Sequence, residues 1–178
     1  MRLFIGISPT EEIRTALVGA QEILVGHGIT GAYLAPENLH MKLAYIGEHP
    51  EPFSVLDAMD TVHFAPFKIT CTHLGAFQES IAGGGIEESE PLKMLVRRLR
   101  YALAKADIPF DLSLSPIRPY FILARHADFG KGIPAAKIAP VTMSVDRITL
   151  YVSHLEEAEM TCTEIGYVEA GGWLRIAQ

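Results

Sequence analysis

Two short segments carry the residue types from which chemistry could be built. In "NLHMKLAYIG" (38–47) the imidazole of His40 and the ammonium of Lys42 stand two residues apart. On a strand that spacing puts both on one face with Ala44, while Met41, Leu43 and Tyr45 take the other. The segment then has an apolar side suited to a core and a polar side suited to a cleft. An imidazole titrates near neutrality and serves as a general acid or base, and a neighbouring ammonium stabilises negative charge. In "RPYFILARHA" (118–127) the same alternation puts Tyr120, Ile122, Ala124 and His126 on one face, and Phe121 and Leu123 on the other. "NLHMKLA" and "RPYFILA" can be laid over each other, His40 against Tyr120 and Lys42 against Ile122, about half a chain apart. That echo is compatible with two related lobes that each contribute one strand.

Each of these residues has a second role open to it. His40 is either a site residue or an exposed strand histidine, and Lys42 either an anion contact or a surface lysine. Tyr120 is either a cleft ring or partly buried packing. Its phenol, with a pKa of about 10, donates a hydrogen bond or a proton but is rarely a base at neutral pH. Arg125 lies opposite Tyr120 by strand parity, which favours an ion pair away from the cleft, unless a bulge re-aims it. His126 shares the parity of Tyr120, but six residues of strand span about 20 Å, so it cannot stand in for a group at position 120.

The elements that must position these residues are legible around them. "RLFIGIS" (2–8) is apolar and β-rich and reads as a strand. Residues 9–26 read as a helix, with Glu11 and Glu12 in the first turn and a stripe of Ile13, Leu17, Ile23 and Leu24. Residues 51–63 read as a short helix and 67–77 as a strand. Residues 80–86 read as a strand or bulge, and Gly83, Gly84 and Gly85 match no phosphate-loop motif; a bulge or turn is the expectation. The clearest helix is "EPLKMLVRRLRYALAK" (90–105). Leu92, Leu95, Val96, Leu99 and Leu103 form one apolar stripe, and Lys93, Arg97, Arg98 and Arg100 lie largely off it as a basic face, either solvated or in contact with phosphate. "DFGKGIPAAKIAP" (128–140) reads as a Gly/Pro loop, and "VDRITLYVSHLE" and "TEIGYVEAG" as a final antiparallel pair.

Composition bounds the function. Apolar residues make up 49% of the 178, enough for a real core. No apolar run approaches the roughly 20 residues of a membrane span, and the N-terminus does not read as a signal peptide. The net charge of −6 argues against coating long nucleic acid, which relies on Lys and Arg at phosphates. It leaves room for one terminal phosphate in a locally basic cleft. Cys71 and Cys162 give no disulfide framework, and the seven histidines no metal-ligand spacing. Reduced thiols, a cytoplasmic location and no metal are the expectation.

Read together, "MRLFIGI", "PENLHMKLAYIGE", "LGAF", the long helix, "RPYFILAR" and "ITLYVSHL" resemble the RNA 2′,3′-cyclic phosphodiesterases, also called the 2′-5′ RNA ligase family, within the two-histidine phosphoesterase superfamily. The resemblance covers most of the chain. It implies an α+β fold: one bilobal domain over residues 1–178, with two antiparallel sheets lining a central cleft and helices outside. The family pattern has two His-x-Thr/Ser motifs. His40 matches the first His; Lys42 stands at its Thr, Tyr120 at the second His and Ile122 at the second Thr. Arg125 falls at the Arg of "LAR".

The family's reaction, by this resemblance, opens a 2′,3′-cyclic phosphate to a 2′-phosphate without a metal or other cofactor. One His activates water, the other protonates the departing ribose oxygen, and the hydroxyls hold the phosphate. Carried over, His40 and Tyr120 are the catalytic candidates and Lys42 and Arg125 the phosphate contacts. The expected partner is an RNA terminus or nucleotide bearing a cyclic or terminal phosphate; no membrane partner is expected and the chain is read as a monomer. Three readings follow: a phosphodiesterase with altered chemistry, a non-catalytic module that binds nucleotides or RNA ends, and a protein-interaction scaffold.

Overall fold

Leu3, Ile5 and Ile7 alternate along the first strand, β1 (Arg2–Ile7), and bury one face of it in the main core. The computed structural model describes residues 1–111, 118–130, 132–134, 137–156 and 159–177. After β1 come α1 (Glu11–Gly26), β2 (Ala32–Tyr33), a 3₁₀ turn at Pro36–Asn38, β3 (Met41–Glu48), α2 (Pro52–Asp60), β4 (Phe67–Ala76) and β5 (Ala82–Ile86). Then follow α3 (Glu90–Lys105), β6 (Tyr120–Arg125), β7 (Lys137–Val145), β8 (Arg147–Glu156), β9 (Glu159–Glu169) and β10 (Trp173–Ile176).

The described strands pair in the order β10-β9-β8-β1-β3-β6-β5-β4-β7, with β2 beside β6, and every pairing is antiparallel. The expected α+β architecture is present. Its two halves are not separate sheets, however: β3 and β6 join them through one paired position, Met41 opposite Phe121. Beyond it β2 takes over the edge of β6, with Tyr33 opposite Ala124 and Ala32 opposite Arg125, so β3 diverges after that one pair. The helices pack on the outer face, α1 over β6 and β7, α3 over β3 and β4, and α2 against β9 and α3.

In α3 the apolar stripe is buried as its 3.6-residue period requires, and the Ser89 hydroxyl caps the helix by accepting from the Leu92 amide (3.3 Å). In α1 the stripe differs from expectation. Ile13, Leu17 and Leu24 are buried, but Ile23 is 40% exposed, and Ala20 and Gln21 complete the buried face. Asn38 belongs to the 3₁₀ turn rather than to a strand, which begins only at Met41. Part of the presumed loop 128–140 is strand β7; its residues 131, 135 and 136 lie outside the described residues. Pro140 is tolerated there because β7 pairs only with β4 and is an edge strand. A terminal strand, β10, also escaped the sequence reading; it follows a turn at Gly171 and Gly172, both at positive φ. Among the described residues no helix is long and apolar enough to cross a membrane.

The three glycines of β5 form neither bulge nor turn. They lie in a strand between β4 and β6. A Cβ on Gly83 would sit 2.7 Å from the ring of Tyr120 and 2.8 Å from that of Phe77, and one on Gly85 would overlap the His73 imidazole. The missing side chains let aromatic rings lie directly on the strand.

Phe121 is fully buried at the join between the halves. Phe121→Ala is expected to cost about 3–5 kcal/mol by cavity formation, read as a lower urea midpoint with an unchanged slope.

Candidate functional site

Two irregularities in strand pairing decide which side chains reach the cleft. Along β1 and β3, Gly6 faces Lys42, Ile5 faces Ala44 and Phe4 faces Tyr45. Leu43 and Ile46 are therefore extra residues on β3, and a bulged residue reverses the alternation beyond it. Tyr45, expected on the core face with Met41 and Leu43, instead joins Lys42, whose Nζ lies 4.9 Å from the Phe4 ring centroid and 5.0 Å from that of Tyr45. Ala44, expected beside Lys42, turns into the core.

The second irregularity is in β6. Gly83 faces Ile122 but Ala82 faces Ala124, which leaves Leu123 as the extra residue. Ala124 turns into the core and Arg125 turns into the cleft. The ion pair away from the cleft that strand parity favoured for Arg125 is thus overturned, by the bulge that was its alternative. The Leu123 carbonyl is held by the Leu34 amide (3.0 Å) and by Nε2 of buried Gln21 on α1 (3.0 Å), which also donates to the Leu34 carbonyl (2.8 Å). A glutamine on the buried face of α1 serves those carbonyls where an apolar residue would leave them short of a partner. His126 ends β6 in a left-handed conformation (φ 51°) and is exposed, so the parity it shared with Tyr120 does not survive the bulge.

The cleft face of the first half is built on aromatic rings. Phe4 and Tyr151 stack at 5.0 Å, and the His40 ring lies 4.4 Å from Tyr151. Tyr151 Oη shares a 2.6 Å hydrogen bond with Ser8 Oγ. His40, just before β3, is only 6% exposed. Its Nδ1 lies 3.0 Å from the Asn38 carbonyl; a carbonyl only accepts, so Nδ1 carries the proton and Nε2 keeps its lone pair. The Asn38 side chain is itself fixed by the Cys162 amide (3.1 Å). Burial lowers the His40 pKa to about 4, against the opposing pull of the Asn38 bond, with Arg14 and Lys42 adding to the depression. The ring is therefore neutral at pH 7.

Lys42, Tyr45, Tyr120, Ile122, Arg125 and Met160 line a cavity of about 250 Å³. Lys42, Ile122 and Arg125 also border a narrower recess that contains His40 and Cys162. The four site candidates His40, Lys42, Tyr120 and Arg125 thus surround two adjoining spaces, with Ile122 on the wall of both. Burial, and then the Arg125 charge, lower the Lys42 pKa to about 8. The Nε atom of Arg125 is buried without a hydrogen-bond partner among the described residues. Arg2, at the rim, is already paired with Glu48 (3.1 Å). Tyr120 is 7% exposed, stacks on Phe77 at 4.1 Å, and has its pKa raised by burial. The Asp111 carboxylate lines the same cavity; two cations against this one acid, one of them with an unsatisfied donor, suit an anion with several acceptor oxygens. Among the described residues no three His, Cys, Asp or Glu side chains gather as a metal-ligand set.

Sequence reasoning missed Phe4, Tyr45, Tyr151, Met160 and Cys162 as site residues. Phe4 and Tyr151 had a signal, since each alternates with core residues on its strand. Tyr45 needed the bulge, and Met160 and Cys162 needed the β8–β9 register.

The depressed His40 pKa links stability to pH. The unfolded chain takes up this proton below about pH 6.5, the folded chain only below about 4. Above pH 6.5 both states are neutral; between 6.5 and 4 the unfolded state binds more protons, so stability falls as the pH falls. The wild-type protein is expected to lose about 3 kcal/mol more than His40→Asn across that window, measured by urea unfolding at each pH.

No family model matches the chain. An RNA 2′,3′-cyclic phosphodiesterase of Thermotoga maritima is 25% identical over 165 residues, 87% of this chain and 88% of that protein. Among solved structures, E. coli LigT complexed with ATP matches with a TM-score of 0.77 at 21% identity, covering 95% of this chain and 97% of that one. LigT complexed with 3′-AMP gives 0.74 at 22% identity, covering 95% and 96%. A protein of Thermus thermophilus gives 0.74 at 26% identity, covering 97% and 99%. With the fold of LigT and sequence similarity to a 2′,3′-cyclic phosphodiesterase, the chain bears out the resemblance to the 2′-5′ RNA ligase type of phosphoesterase that its motifs carry.

Proposed function

We propose that the cleft binds a terminal or 2′,3′-cyclic phosphate of RNA or of a nucleotide, with Lys42 and Arg125 as the phosphate contacts, and that hydrolysis to a 2′-phosphate is strongly impaired. The observation that carries this reading is the pair of cations on one cavity, Lys42 by the alternation of β3 and Arg125 by the bulge in β6, beside the single carboxylate of Asp111 and with Arg125 Nε buried and unsatisfied among the described residues. The Arg125 charge disfavours the charged form of Lys42, and an anion that enters beside them relieves that repulsion beyond what the Asp111 carboxylate on the cavity wall supplies. The ligand class is supported by the Thermotoga relative, an RNA 2′,3′-cyclic phosphodiesterase, and by LigT structures complexed with 3′-AMP and ATP.

The impairment follows from the proton inventory. His40 keeps a free lone pair on Nε2 and can accept a proton from water, but its low pKa makes it a weak base. The departing ribose oxygen needs a proton; Tyr120 stands at the position of the second His, and burial reduces the acidity of its phenol further. Ile122 offers no hydroxyl to the phosphate. One missing proton-transfer group costs about 10²–10⁴ in rate, or about 3–5 kcal/mol of barrier. Lys42 offsets part of this by stabilising the pentavalent phosphorus transition state.

Calorimetry with adenosine 2′,3′-cyclic monophosphate tests the binding. Lys42→Ala and Arg125→Ala are each expected to weaken it about 10- to 100-fold, and indifference to both changes would sink the assignment.

Hydrolysis followed by phosphorus NMR tests the impairment. The double change Tyr120→His with Ile122→Thr is expected to raise the rate by about 10²–10⁴, and adding His40→Ala to remove that gain. Rapid wild-type turnover to the 2′-phosphate, lost in His40→Ala, would show instead that one histidine with Tyr120 suffices.

A further inference from the structure

Lys42 is an amine in a setting unlike that of the other described lysines. Lys68, Lys105 and Lys137 are exposed, and Lys93 pairs with Glu88. Lys42 is half-buried, and its Nζ rests over two rings, 4.9 Å from the Phe4 centroid and 5.0 Å from that of Tyr45. Among the described residues it makes no ion pair with a carboxylate. The fixed charge that acts on it is the like charge of Arg125. Partial removal from water and a neighbouring cation are the two settings that make a lysine nucleophilic. Burial first, and then Arg125, lower its pKa to about 8. Roughly a tenth of the molecules then carry the free amine at pH 7, against fewer than about one in a thousand for an ordinary lysine.

The amine also has room for a reaction partner. Lys42 lines the cavity of about 250 Å³, whose wall is apolar at Ile122 and Met160 and carries Arg125. Arg125 Nε is buried without a hydrogen-bond partner among the described residues. A cavity of that volume suits a small ligand. The motif that this segment resembles has a hydroxyl at position 42, so the amine adds a nucleophile to the cleft.

We propose that Lys42 is a carbonyl-reactive amine, and that the cavity captures a small phosphorylated aldehyde as an imine on Lys42 with the phosphate held by Arg125. The proposal rests on the reading of Arg125 as a phosphate contact and extends it to a second class of ligand. The free amine attacks the carbonyl carbon. As the C–N bond forms, the π pair of the carbonyl moves to its oxygen, and one amine proton reaches that oxygen through water. Loss of this hydroxyl with the second amine proton, as water, leaves the C=N bond. One amine and one aldehyde thus give one imine and one water, with no change of oxidation state. Arg125 raises the local concentration of a phosphorylated carbonyl beside the amine, and the apolar wall slows the return of water to the imine.

The test uses pyridoxal 5′-phosphate and pyridoxal, which carry the same aldehyde with and without a phosphate. Each is added in limiting amount, trapped with borohydride and mapped by peptide mass spectrometry. The readout is the ratio of labelling at Lys42 to labelling at exposed Lys68, taken within one sample so that the differing reactivity of the two aldehydes cancels. In the wild type the ratio is expected to reach at least about ten with pyridoxal 5′-phosphate and to fall about tenfold with pyridoxal. Arg125→Ala is expected to bring the first ratio down to the second. A wild-type ratio near about one, the same ratio for both aldehydes, or a phosphate preference that survives Arg125→Ala would each overturn the proposal. The wild-type comparison of the two aldehydes stands whether or not the variant folds. In each of those cases, binding of adenosine 2′,3′-cyclic monophosphate that Arg125→Ala weakens would leave the phosphate cleft standing. Labelling of Lys42 that requires Arg125, in a protein that does not bind this nucleotide, would instead keep the aldehyde site and sink the nucleotide reading.

Discussion

The site depends on one short contact between two strands. Met41 of β3 faces Phe121 of β6, and beside that pair the Ile122 amide donates to the His40 carbonyl (3.3 Å). This junction joins the two halves of the sheet edge to edge. The residues around it are His40, just before β3, and Lys42 on it, with Tyr120 and Ile122 on β6. Both Met41 and Phe121 are fully buried, so the junction is anchored from the core side while the cleft opens on the opposite face. A shift of one residue at this pair would exchange the two faces of β6 and send Tyr120 and Ile122 into the core.

Two bulges then set what surrounds Lys42 in the cleft. The extra residue Leu43 brings Tyr45 next to Lys42, and the extra residue Leu123 swings Arg125 toward the same cavity. Each device has its own support. The Lys42 ammonium rests over the Phe4 and Tyr45 rings, a cation–π arrangement that partly replaces lost hydration. The Leu123 carbonyl is satisfied by Gln21, so the polar break in the apolar stripe of α1 is tied to the aim of Arg125. Two cations in one partly buried space still destabilise the free protein, and their mutual repulsion is part of why Lys42 loses its proton more readily than an ordinary lysine. Under the proposed function a bound anion relieves that repulsion, beyond what the Asp111 carboxylate on the cavity wall supplies.

The same burial that builds the site limits its acid–base chemistry. His40 lies against Tyr151 and close to Phe4, and this apolar setting holds it neutral with its tautomer fixed by Asn38. Tyr120 stacks on Phe77 and is held in its protonated form. The cleft thus offers the Arg125 cation, a lysine whose pKa is lowered to about 8, and two groups reluctant to change charge. That inventory supports the proposal that the cleft holds a phosphate rather than passing protons across it.

Much of this was legible in the chain itself. Period-two alternation in "RLFIGI" and the 3.6-residue stripe of α3 determined those elements and their buried faces, because burial of apolar side chains acts on each segment's own pattern. The motif residues around His40 and Tyr120 determined that these two strands matter. What the sequence could not decide was where alternation breaks. A bulge is the outcome of competition between the pairing of two strands and the packing of both faces, and neither Leu43 nor Leu123 looks different locally from a regular strand residue. Tyr45 and Arg125 therefore changed sides only in the tertiary structure. The glycines of β5 were misread for the same reason: the rings that require their bareness come from β4 and β6, and only the folded sheet brings them over that strand.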